Sequence, residues 1–116
     1  MKVSEVLTQA KAKIADPKNW IQDHMACDSL GRPVSPAAPH AACWCSLGAL
    51  VATGADVWAR SDAKVLLREA IRAPIVPGSW TSDIAGYNDN HSHAEVMQMW
   101  DRAIELAKNQ EKHDVL

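Results

Sequence analysis

Two histidine–cysteine pairs of equal internal spacing stand out, His24-x-x-Cys27 and His40-x-x-Cys43, with Cys45 just beyond and His91-x-His93 further along. Imidazole and thiolate are the ligands of structural zinc, and His24, Cys27, His40 and Cys43 together resemble the donor set of a small zinc module. The stretch "HAACWCSLGAL", however, has the small and apolar character of a helix. On a helix, Cys43 and Cys45 fall about 160° apart, so they cannot share an ion or join in a disulfide, whereas His40 and Cys43 fall about 60° apart. Cys43 then shares an arc with Leu47 and Leu50, and a free cysteine in such an arc is usually a small buried hydrophobe. No metal and no cofactor are therefore expected, with the zinc set kept as an alternative.

Cys45 raises the chemistry of a nucleophile. Reactive thiols sit at helix N-termini, where unpaired amides and a nearby histidine lower the thiol pKa. A helix starting near Pro39 places Cys45 in the second turn among Ala41, Ala49 and Ala52, a close-packing seam. Only a start at residue 43 or later would put the thiol among free N–H groups. No catalytic residues are expected on this reading; the alternative is a set of Cys45, His93 or His40 as base, and Asn88 or Asp89 as orienter.

A third cluster, Asp83, Tyr87, Asn88, Asp89 and Asn90, lacks the glycine and closing glutamate of a calcium loop. Its Asn and Asp residues can satisfy the backbone of a turn, or bind a ligand on a loop held by helices. Trp44, Tyr87, Asn88 and Asp89 are the candidate ligand-binding residues. GxGxxG, Walker A, HExxH and GxSxG motifs are all missing from the sequence.

The elements that must position these groups are mainly helical. Ser4 can cap a first helix with Val6, Leu7, Ala10 and Ile14 on one face, ending at Asp16-Pro17. "HMACDSLGRPVSP" reads as a small hairpin or irregular loop. A second helix is predicted from Pro39 to Gly54, apolar almost all round and hence central. Ser61 can cap a third, with Leu66, Leu67, Ala70 and Ile71 inward, stopped before Pro74. Residues 74–78 read as a connector and 82–89 as a short helical turn. The last helix opens with the Ser92/Glu95 capping box, carries Val96, Met97, Trp100, Ala103, Ile104 and Ala107 inward, and is expected to fray after Lys108. The predicted fold is a mainly α single domain, residues 1–116, of four principal helices around the second one, with residues 1–2 and 109–116 frayed.

Composition bounds the function. A chain of 116 residues with 47% hydrophobic and 22% charged residues matches an ordinary globular protein able to bury its own core. A net charge of −2 supplies no basic field, so neither nucleic acid nor an anionic membrane is an expected partner. The charged N-terminal stretch and the lack of a long apolar run point to the cytoplasm, where an odd number of cysteines argues against a disulfide framework. Five tryptophans with no phenylalanine read as core anchors.

Four stretches taken in order, Gly31-Arg32-Pro33-Val34-Ser35-Pro36, Trp44-Cys45-Ser46-Leu47-Gly48-Ala49-Leu50, Tyr87-Asn88-Asp89 and Asp101-Arg102-Ala103-Ile104, resemble a family of short, functionally uncharacterised proteins of bacteria and their phages. The likeness runs from the first helix to about Ala107. It implies no activity, but Trp44, Cys45, Gly48, Asn88 and Asp89 match its pattern, whereas His24, Cys27, His40, Cys43, His91 and His93 do not. The expected function is a small non-enzymatic binding or interaction protein, an accessory or anti-defence factor acting on a host protein or a small molecule. A cysteine hydrolase or transferase using Cys45 and a zinc-stabilised module are the alternatives, and a homodimer is left open.

Overall fold

The structure, a computed structural model, describes residues 1–72 and 83–114. Helix α1, Val3–Ile14, buries Val6, Leu7, Ala10 and Ile14. Its expected cap, Ser4, instead lies inside the helix, because the Ser4 hydroxyl donates to the Glu111 carboxylate at 2.6 Å. The helix stops where Asp16 turns extended and caps a 3-10 turn, Pro17–Asn19.

The next segments pair at a distance. Strand β1, Ala26–Cys27, runs antiparallel to β2, Cys43–Trp44. The tight turn expected after Cys27 forms: the Asp28 carboxylate accepts from the N–H groups of Leu30 and Arg32, and Gly31 takes the left-handed φ of 79°. The Pro39–Gly54 helix is only half formed. The backbone of Cys43 and Trp44 is taken by β1 and Cys45 is extended, so helix α2 spans Ser46–Ala52 with Cys45 as its N-cap. Its C-terminal end is as expected, with Gly54 at φ 77°.

Helix α3, Val57–Arg72, starts four residues before the Ser61 cap predicted for it, because Asp56 accepts from the Ala59 N–H at 2.8 Å. Its predicted stop before Pro74, the 74–78 connector and Ser82 lie outside the described residues. Helix α4, Ile84–Asn90, is capped by Asp83, which accepts from Gly86 N. The capping box of α5, His93–Asp114, forms reciprocally: Ser92 N donates to Glu95 and Glu95 N donates to the Ser92 hydroxyl. Helix α5 continues past Lys108, held by the Ser4–Glu111 bonds.

The result is a mainly α fold with a two-stranded ladder. Its centre is α1, which packs against α2, α3 and α5, while α3 also packs on α5. Helix α2 is too short for the central role expected of it, and the ladder occupies its leading end. The radius of gyration, 13.7 Å, is close to the roughly 13 Å of a compact chain of this length. Among the described residues no helix is long and apolar enough to cross a membrane.

Candidate functional site

Residues 20–25 form an irregular segment wedged between the leading end of α2 and helix α4. An irregular backbone must find partners for its own polar groups, and here they come from two short motifs. From the α2 side, Trp44 O accepts from Ile21 N, and Cys45 N donates to Met25 O at 3.1 Å. Gly48 stands so close that a Cβ there would lie 1.9 Å from the Met25 carbonyl oxygen, so only glycine permits this approach.

From the α4 side, Asn88 is fully buried. Its Oδ1 accepts from Trp20 Nε1 at 2.7 Å, Ser46 N at 3.1 Å and Ser46 Oγ at 2.9 Å, and its Nδ2 donates to Ile21 O at 3.0 Å. Trp100 Nε1 completes the network by donating to Ser46 Oγ. Asp89 Oδ1 accepts from Asp23 N at 2.9 Å, and Gln22 Nε2 donates to the carbonyls of Asn88 and His91.

This clamp holds the tip of the segment in an unusual form. Asp23 has φ 71°, the only left-handed residue other than glycine among those described, and Asp23, His24 and Met25 are exposed. Backbone strain in a loop fixed by its surroundings is characteristic of functional sites. Beneath the tip lies a cleft of about 140 Å³ lined by Asp23, His24, Met25, Cys45, Ala85 and Asp89.

Cys45 is thus at a helix N-terminus after all, but it is buried there. Its Sγ accepts from Gly48 N at 3.4 Å and its residue is only 6% exposed. Burial pushes the thiol up from its ordinary range, the Gly48 N–H opposes this, and the Asp89 carboxylate adds to the rise. Neither histidine proposed as its base lines the cleft. His93 Nε2 hydrogen-bonds Ile14 O at 2.7 Å and its ring stands edge-on to Trp20, while His40 is exposed in the loop before β2. The histidine that does line the cleft is His24.

The other candidates disperse. Trp44 lies over the ladder, its Nε1 donating to Pro36 O and Lys13 Nζ sitting 5.2 Å from its ring. Tyr87 is buried and stacked on His91, with no hydrogen-bond partner for its hydroxyl among the described residues. Of the four proposed ligand-binding residues only Asp89 reaches the cleft. Of the four zinc candidates the fold sets only Cys27 and Cys43 opposite each other, and no group of three or more metal-ligating side chains stands together among the described residues.

Trp20, Gln22 and Asp23 are not among the candidate residues read from the sequence, and Ser46 and Gly48 enter there only as part of the Trp44–Leu50 motif. Gly48 alone carried a signal, since a glycine inside an apolar helical run often marks close backbone approach.

No curated protein and no solved structure matches the chain. A family model does match, over residues 1–106. The chain therefore belongs to DUF6197, a family of unknown function.

Proposed function

We propose that the chain is a small non-enzymatic binding protein of bacterial or phage origin whose recognition element is the Asp23–His24–Met25 tip with the cleft beneath it. The observation that carries this reading is the left-handed Asp23, exposed yet pinned by Asp89 through a side-chain bond. Five residues of the two motifs, Trp44, Cys45, Gly48, Asn88 and Asp89, support that tip, so the motifs make sense as scaffolding for a presented loop. The carboxylates of Asp23 and Asp89 suit a cationic group, and the cleft has room for the ammonium or guanidinium end of a side chain on a host protein.

The test is an NMR titration of the labelled protein with short arginine- and lysine-containing peptides, with a glutamate peptide as control. Shifts confined to residues 23–25, 45–48 and 85–89, weakened in Asp23→Asn, are the expected result. Equal response to the acidic peptide, or none to any, overturns the reading.

One observation favours a second reading, a cysteine hydrolase or transferase: Cys45 caps α2 and shares the cleft with His24 and Asp89. Fast, selective iodoacetamide labelling of Cys45 in the native protein near neutral pH would establish it, and a protected thiol leaves the binding protein.

A further inference from the structure

Cys27 and Cys43 are direct partners in the antiparallel ladder of β1 and β2. Direct partners project from the same face with Cα atoms about 4.5–5.5 Å apart, inside the roughly 4.4–6.8 Å that a disulfide spans. Both thiols are free, Cys27 buried and Cys43 half-buried. The two side chains interact directly, and Cys43 Sγ donates onward to Lys18 O at 3.3 Å. Neither residue lines the cleft of the proposed binding role.

We propose that Cys27 and Cys43 are a reversible redox pair that closes to an intramolecular disulfide by exchange with a low-molecular-weight disulfide of the glutathione type. Cys43, the more accessible, loses its proton to solvent and attacks one sulfur of the small disulfide. An S–S bond forms between them and one small thiolate leaves, taking up a proton. Cys27, deprotonated in turn, attacks Cys43 Sγ, the mixed disulfide breaks and the second small thiol leaves. The protein loses two protons and two electrons, and the small disulfide takes them up to become two thiols. Burial, and then the neighbouring Cys43, pushes the Cys27 thiol up, so Cys43 rather than Cys27 makes the first attack, and Cys27 follows on a sulfur that already lies beside it. The bond locks the base of loop 28–42 and fixes β1, which leads directly out of the Asp23–Met25 tip. Cys45, buried and accepting from the Gly48 N–H, stays reduced.

The experiment treats the full chain with oxidised glutathione, quenches with acid, unfolds it and alkylates with N-ethylmaleimide before intact-mass and peptide mapping. The expected product is lighter by two hydrogens, carries a single maleimide on Cys45, contains a Cys27–Cys43 cross-linked peptide, and returns to three alkylated thiols after dithiothreitol. Cys45→Ser keeps the cross-link, and Cys27→Ser stops at a glutathione adduct on Cys43. Oxidation raises the thermal midpoint by several degrees, since the closed loop restricts the unfolded chain. Three alkylated thiols after oxidant, a cross-link involving Cys45, a lasting adduct on wild-type Cys43, or a lowered midpoint would each overturn the proposal.

Discussion

At the scale of single residues, Asn88 joins both sides of the clamp. Its side-chain oxygen serves three donors and its amide serves Ile21 O and Asp89 Oδ1. Asn88→Ala strands Trp20 Nε1, Ser46 N and Ile21 O in a buried site, where each orphan costs about 1–3 kcal/mol. The substitution is expected to lower stability by about 3 kcal/mol or more, read as a fall in the urea midpoint at unchanged slope. Gly48→Ala belongs to the same site, because its Cβ meets the Met25 carbonyl at 1.9 Å. Helix propensity alone would make it stabilising; overpacking against fixed backbone makes it destabilising by about 3 kcal/mol, with amide exchange accelerated at residues 23–26. Asp23→Gly acts the other way. It relieves the left-handed backbone and should leave stability equal or raise it by up to about 1 kcal/mol, while removing a cleft carboxylate, so peptide binding falls without unfolding. Asn88 and Asp89 were conspicuous in the sequence by type. Their role was not, because the segments they clamp lie 42–68 residues away in the chain.

At the scale of elements, α1, α3 and α5 were legible because a 3.6-residue apolar period needs only local information. Helix α2 was misread for the same reason. The run from Pro39 to Gly54 is apolar enough to be a helix, and nothing local reveals that Cys43 and Trp44 are claimed by β1. The capping box at the start of α5 was read correctly because it is a reciprocal, local pair. Ser92→Ala should lower stability by about 1 kcal/mol. The box also makes stability depend on pH. The Ser92 N–H, and then its hydroxyl, hold the Glu95 carboxyl below its ordinary value of 4.5, and the Arg32 N–H, with further help from the Arg32 side chain and Leu30 N–H, holds Asp28 below 3.8. In that window the unfolded chain binds more protons than the native one, so stability rises with pH. The contribution of both groups is complete above about pH 5 and is lost as pH falls through the lowered native values. Urea midpoints followed from about pH 6 to pH 3 should decline, and Glu95→Gln should flatten part of that decline.

At the scale of the whole molecule, the tryptophans show how far composition can be read. Five in 116 residues with no phenylalanine suggested core anchors, since a large apolar ring contributes most when removed from water. Trp100 fits: it is fully buried where α5 meets α2, and its Nε1 donates to Ser46 Oγ at 3.2 Å. Trp20 and Trp44 pack partly buried against the same core. Trp58 does not fit, for it stands 78% exposed in the first turn of α3, beside the exposed Val57. Sequence could not separate the two cases because Asp56, not Ser61, starts α3. That earlier start adds a turn whose Ala59 packs against the core while Val57 and Trp58 stand in solvent. The same substitution at two positions measures the difference. Trp100→Ala removes a filled site and orphans the Ser46 network, and should lower stability by about 4 kcal/mol, a large part of the roughly 5–15 kcal/mol that holds such a domain folded. Trp58→Ala should change it by no more than about 0.5 kcal/mol, because the ring leaves water in neither state. Equal losses at the two sites, measured by urea unfolding, would mean that the Trp58 ring packs against the core in solution.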